Sequence, residues 1–225
     1  RLCDLSEKRC DSMGDKMKES NYKKLVYNTA IFAIGNFGSK VLTFLIVPLY
    51  TYVLTTAEYG VIDLFITSLG MVIPFSTMMV NEALIRYVLG KELTPKEAAS
   101  NCFAVFLFGA AISVLFTPLY KVAFDFDEYI WIFVALLVLR TFNQVFSEYF
   151  RAVNQNVKFT IFGLITTATI LGFNVVFLLF LKLGIRGYLY ATLLSAAVGT
   201  LYILIFSDFF QVVSLKCIDK NTIRM

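Results

Sequence analysis

Phe159-Thr160-Ile161-Phe162-Gly163-Leu164-Ile165-Thr166-Thr167-Ala168-Thr169-Ile170-Leu171-Gly172-Phe173-Asn174-Val175-Val176-Phe177-Leu178-Leu179-Phe180-Leu181 contains no charged residue. Crossing ~30 Å of hydrocarbon at 1.5 Å per residue takes about 20 residues, and this run exceeds that. Lipid offers no partner to backbone N–H and C=O groups, so such a segment must be a helix or part of a closed barrel. Apolar residues run on without strict alternation, which selects the helix.

Five further stretches share this character. Together the six predicted spans are 28–53, 59–85, 102–120, 129–147, 159–181 and 187–207. The first two exceed the required length, which predicts tilt, a kink or interfacial ends. Pro48, Pro74 and Pro118 lie within or near span ends, where they bend helices. The whole chain agrees with this reading: 58% of its residues are hydrophobic and 16% charged, with a mean hydropathy of +0.73. Ordinary soluble domains carry roughly 45–50% apolar and about 25% charged residues. The fold class expected is therefore all-α: a polytopic membrane protein of six transmembrane helices. Residues 1–24 form a cytoplasmic tail, 25–207 the six-helix lobe and 208–225 a cytoplasmic linker.

Lys and Arg set the orientation. With the N-terminus inside, cytoplasmic segments receive the basic residues of 1–24, then Arg86, Lys91 and Lys96, then Arg151 and Lys158, and finally Lys216, Lys220 and Arg224. The opposite side keeps Lys121, Lys182 and Arg186. The positive-inside rule places both ends of this chain in the cytoplasm. A net charge of +4 is thus explained by topology and anionic lipid, and no nucleic-acid partner is expected.

There is no histidine, which removes Ser-His-Asp, Cys-His and most imidazole acid–base schemes. Cys3, Cys10, Cys102 and Cys217 have no Cys-x-x-Cys spacing, so neither a metal site nor a disulfide framework is expected. The chain opens on Arg1, while Met17-Lys18-Glu19-Ser20 reads like a translation start, so residues 1–16 are expected to be upstream translation or a gene-model artefact.

A charge at the centre of a spanning helix costs about 2.5–3.5 kcal/mol on insertion scales, so it faces protein or water and marks a functional candidate. Lys40 and Arg140 are the cations within spans. On the first span, Asn36, Lys40 and Thr43 share one helical face. On the second, Asp63, Thr67, Gly70, Pro74, Thr77 and Asn81 form a polar stripe beside Glu82. On the fourth, Arg140, Asn143, Gln144 and Ser147 share a broad face that continues to Glu148 and Arg151. The fifth carries Thr160, Gly163, Thr167 and Asn174 on roughly one side. The candidate lumen residues are Lys40, Arg140, Asn36, Asp63, Asn81, Glu82, Asn143 and Gln144. Arg86, Glu148 and Arg151 are candidates for a cytoplasmic gate. Interhelical packing is the alternative for the polar residues and for Lys40 and Arg140. Asp63 and Glu82 would otherwise pair with these cations or sit at the two interfaces, and Arg86 and Arg151 would snorkel to head groups. On the sixth span, Gly187, Ala191, Ser195 and Gly199 form a small-residue ladder read as packing alone.

Leu54-Thr55-Thr56-Ala57-Glu58-Tyr59-Gly60, preceded by Gly35-Asn36-Phe37-Gly38-Ser39-Lys40, resembles the bacterial polysaccharide-biosynthesis flippases. These belong to the multidrug/oligosaccharidyl-lipid/polysaccharide exporter superfamily. Thr56 stands where that family frequently has Pro. Arg86-Tyr87, Phe150-Arg151-Ala152 and Leu183-Gly184-Ile185-Arg186-Gly187 continue the resemblance. It implies a MATE-like transporter of roughly 12–14 spans in two six-helix halves around a central cavity. This chain would then be the N-terminal half, truncated before its C-terminal partner.

The implied function is flipping of undecaprenyl-pyrophosphate-linked oligosaccharide across the bacterial inner membrane for O-antigen, capsule or exopolysaccharide synthesis. Lys40 and Arg140 would pair with pyrophosphate or acidic sugars. Implied partners are the lipid-linked oligosaccharide, membrane lipids, the missing half, a polysaccharide polymerase and a chain-length regulator. No cofactor is implied beyond coupling to H+ or Na+. Two other readings stay open. A cation-coupled drug exporter would use Asp63 and Glu82. A membrane enzyme of polysaccharide assembly would need a large extracytoplasmic loop or paired catalytic carboxylates, whereas the outer loops are short and Asp125, Asp127 and Glu128 read as a loop-end cluster.

Overall fold

In a computed structural model, the described residues are 51–90, 93–124 and 128–207, with separate helical positions of a leading helix between Val26 and Tyr50. The tail, the 208–225 linker and Asn36 lie outside them. Among the described residues the elements are α1 (Thr56–Thr77), α2 (Val80–Leu89), α3 (Pro95–Leu115), α4 (Thr117–Phe124), α5 (Ile130–Ala152), α6 (Asn156–Asn174), a π-helical continuation (Val175–Phe180) and α7 (Gly184–Phe206). Five helices here are long and apolar enough to cross a membrane. The chain is an all-helical, multi-pass membrane protein.

Local chemistry explains where the helices start. Thr55 and Thr94 each close a capping box, with Glu58 and Glu97 respectively returning a carboxylate to the N-cap backbone. Pro95 sits at the first turn of α3, where a missing N–H costs nothing. The third span therefore begins at Pro95, ahead of the expected residue 102. It ends at Leu115, because Pro118 cannot continue the i→i−4 ladder, and Tyr120 belongs to the separate α4.

The second span is not one helix. Pro74 removes an N–H from the ladder, and Met78 and Met79 both adopt left-handed backbone, with φ of 48° and 55°. Thr77 Oγ1 accepts the Met79 N–H across this break at 3.3 Å. The expected stripe from Asp63 to Asn81 is cut there, and Asn81 lies on the separate helix α2.

Helix α5 is the centre of the lobe, packing on α1, α2, α3, α4, α6 and α7. It joins two apolar cores. One contains Phe65, Leu69, Phe133, Leu136, Leu137, Leu178 and Leu189. The other contains Leu84, Phe106, Phe142, Phe146, Phe150 and Ile203. Aromatic pairs lock each core: Phe65 meets Phe133 edge-on at 5.2 Å, and Phe106 meets Phe142 at 5.5 Å. Arg140 and Thr141 lie on α5 between the two cores.

The ladder on α7 packs as expected. Gly187, Ala191, Ser195 and Gly199 are all buried. A Cβ on Gly199 would lie 2.8 Å from Thr166 Cγ2 and 3.0 Å from Asn143 Nδ2, so α6 and α5 reach its backbone. On the outer face, Phe75, Phe108, Leu115, Trp131, Phe180 and Ile205 are exposed, a surface that suits hydrocarbon.

Candidate functional site

Mid-way along α5, α6 and α7 the lobe is cleft. The cavity is about 270 Å³, and Arg140, Asn143, Thr166, Thr167, Thr192 and Ser195 give it polar walls, with Phe162, Ile170 and Ala196 completing it. The sequence brings these groups to one depth because each lies close to the middle of its own span. Asn143 bridges α5 to α7: Nδ2 donates to the Ala196 carbonyl at 2.8 Å, and Oδ1 accepts from Thr200 at 3.0 Å. Ser195 donates to the Thr166 carbonyl at 2.8 Å, tying α7 to α6.

The threonines spend their protons on their own helices. Thr166 donates to Phe162 and Gly163, Thr167 to Gly163 and Thr192 to Tyr188. Such back-bonds satisfy a hydroxyl in hydrocarbon while leaving its lone pairs directed outward. Arg140 is half-buried beside them. Among the described residues no carboxylate lines its cleft, and Tyr188 lies one turn before Thr192 of the cleft wall, its carbonyl accepting the Thr192 hydroxyl. Tyr188 in turn packs edge-on against Tyr50 of the leading helix at 5.3 Å.

The other expected residues are dispersed. Lys40 is exposed on the leading helix, and Gln144 is exposed on α5. On α1, Asp63, Thr67, Gly70 and Pro74 are exposed along one face, while Thr77 is buried. Glu82 is exposed at the start of α2. Asn81 is half-buried, and its Oδ1 has no hydrogen-bond partner among the described residues. Neither Asp63 nor Glu82 forms an ion pair with Lys40 or Arg140 among the described residues. Of the gate candidates, Arg86 is exposed in the last turn of α2. Arg151 and Glu148 pair at 2.7 Å, and the Arg151 guanidinium stands 5.3 Å from the Phe159 ring centre.

Thr166, Thr192 and Ser195 were not among the residues expected at a site. Their signal was faint: common small polar residues on helices whose partners the sequence does not name. Ser195 serves both the expected packing ladder and the cleft wall.

A solved structure described as the outward-facing conformation of a multidrug resistance MATE family transporter of the MOP superfamily is similar to this chain. Identity is 16% and the TM-score 0.46, over 87% of this chain and 45% of that one. This chain thus spans less than half the length of that transporter. No family model and no curated protein matches the chain.

Proposed function

We propose that this chain is one lobe of a transporter that flips undecaprenyl-pyrophosphate-linked oligosaccharide across the bacterial inner membrane, with its ends in the cytoplasm. The observation that carries the reading is a polar exposed face at membrane depth. Asp63, Thr67, Gly70 and Pro74 line it on α1, while the Arg140 cleft opens between α5, α6 and α7. Polar groups at this depth need water or protein against them. A second lobe across a water-filled cavity supplies both. A cationic cleft suits a pyrophosphate or an acidic sugar, and the apolar outer surface suits the lipid tail. Polymerase and chain-length regulator are the partners such a step would serve.

The test is complementation of a flippase-deficient bacterium by the full-length protein carrying Lys40→Gln or Arg140→Gln. Loss of surface polysaccharide at normal expression supports the reading, and unchanged polymer contradicts the roles given to these cations. Exposed Asp63 favours a second reading, a cation-coupled drug exporter using H+ or Na+. Drug resistance lost in Asp63→Asn, with no glycan defect, would select it.

A further inference from the structure

A second cavity lies between α2 and α3 and shares no wall residue with the Arg140 cleft. Its volume is about 330 Å³. Val80, Leu84 and Tyr87 form one wall, and Ala98, Cys102 and Val105 the other. Each set steps i, i+4, i+7, so each is a single face of its helix. The two faces run antiparallel. At one end the Leu93 N–H donates to the Tyr87 carbonyl at 3.4 Å. At the other the Cys102 thiol reaches the Val80 carbonyl at 3.8 Å. From Val80 to Tyr87, at 1.5 Å per residue, the slot is about 10 Å long.

The slot follows from the break in the second span. Ahead of the break, α1 and α3 touch through Ser76 and Gly109. After the left-handed Met78 and Met79 the chain resumes as α2, and Met78 lines the inner end of the space. Ala83, Ala98 and Cys102 are too small to fill it. The space is far larger than the roughly 30 Å³ share of one water and falls within the about 300–1,000 Å³ range of ligand sites. Its walls are mostly apolar, with Asn101 adding one amide, so water is a poor occupant.

Shape and charge select the occupant. The slot starts at the short polar connection between α2 and α3, where the chain meets the membrane boundary, and runs inward. Val105 is about 15 Å along α3 from Pro95 at helical rise, half of ~30 Å of hydrocarbon. An acyl chain anchored at the interface has this geometry. At the mouth, Arg86 precedes Tyr87 and Lys96 stands two residues before Ala98, both exposed. Lys91 and Glu92 of the connection offset each other in sign. Glu97 is committed to the Thr94 capping box, and Glu82 falls on the side of α2 opposite the slot. Arg86 and Lys96 therefore set the sign of the mouth. We infer that the slot between α2 and α3 is a site for an anionic phospholipid, with one acyl chain lying along it to the Met78–Met79 break and the head group beside Arg86 and Lys96. Tyr87 is then the aromatic at head-group level. The site is separate from the transport reading, since it requires neither an oligosaccharide nor a second lobe.

The test places the full-length protein in phosphatidylcholine nanodiscs with a trace of phosphatidylglycerol that carries a diazirine near the end of one acyl chain. After illumination, adducts are mapped by peptide mass spectrometry. They should concentrate in the slot, near Cys102 and Val105, above the level at the exposed Trp131 and Ile205. Unlabelled phosphatidylglycerol should compete several-fold better than phosphatidylcholine. Ala83→Phe, which fills the slot from a half-buried position, should reduce slot adducts several-fold while leaving those at Trp131. Arg86→Gln combined with Lys96→Gln should keep slot adducts but make the two competitors equal. Adducts spread evenly over the apolar surface, or slot adducts undiminished in Ala83→Phe, overturn the site. Equal competition by the two phospholipids in wild type overturns the anionic occupant. Displacement by undecaprenyl phosphate but not by phosphatidylglycerol overturns the phospholipid and gives the slot to an isoprenoid chain. If Ala83→Phe does not fold, the wild-type competition decides alone.

Discussion

Gly109 of α3 lies so close to Ser76 of α1 that a Cβ on it would stand 1.9 Å from the Ser76 carbonyl oxygen. The Ser76 and Ser113 hydroxyls meet one turn further along at 2.7 Å. This contact sits directly ahead of the Met78–Met79 break, so α3 clamps the last regular turn of α1. Gly109→Ala must push the two backbones apart, and overpacking of this kind costs about 1–3 kcal/mol. Thermal unfolding in detergent should fall accordingly. The control Gly60→Ala, where a Cβ meets nothing within 4 Å, should leave it unchanged or slightly raised.

The break itself makes a prediction of opposite sign. Met78 and Met79 occupy the left-handed region, which costs a residue with a side chain roughly 1–2 kcal/mol. Both side chains are exposed, so little packing is lost on removing them. Met78→Gly or Met79→Gly should leave stability unchanged or higher. Leu69→Gly, in the buried face of α1, should cost several kcal/mol, because it empties a core position and loosens a helix interior.

Asn143 holds α5 to α7 with both ends of its amide. Asn143→Ala should destabilise by about 1–3 kcal/mol through the buried partners it abandons. Asn143→Asp should cost more, since it replaces the donor facing the Ala196 carbonyl with an acceptor. That order, Asp worse than Ala, distinguishes a hydrogen-bonding role from a simple matter of size.

The exposed pair of Glu128 and Arg186 gives a pH dependence. The Arg186 guanidinium, and then Tyr129, hold the Glu128 carboxyl below its ordinary value of 4.5. A carboxylate lowered on folding contributes stability that is complete above its unfolded pKa and disappears as pH falls through the folded one. The pair is fully exposed, so its contribution is small and salt-sensitive. As pH falls through and below the ordinary value of 4.5, Arg186→Gln should show a slightly shallower loss of Tm than wild type.

The helical membrane architecture was legible because hydrocarbon imposes one rule on every residue of a span: long apolar runs are visible without knowing what they touch. Boundaries were less so. Thr94-Pro95 began α3 ahead of its apolar run, because a capping box acts through local hydrogen bonds and not through hydropathy. The Met78–Met79 break was hidden for a related reason, since Pro74 announces a bend without saying how the chain resumes. At the site, Arg140 stood out by charge alone. Its neighbours Thr166, Thr192 and Ser195 become a cleft wall only when α6 and α7 dock on α5, and that docking is tertiary information.

The proposed movement of a lipid-linked oligosaccharide between leaflets can be followed in vesicles. The most direct measurement reconstitutes the full-length protein in liposomes carrying a fluorescent undecaprenyl-pyrophosphate oligosaccharide in both leaflets. A membrane-impermeant reductant then bleaches the outer pool. Bleaching beyond that pool with wild type, and loss of the excess with Arg140→Gln, is the predicted result. Bleaching that stops at the outer pool for wild type would contradict the account.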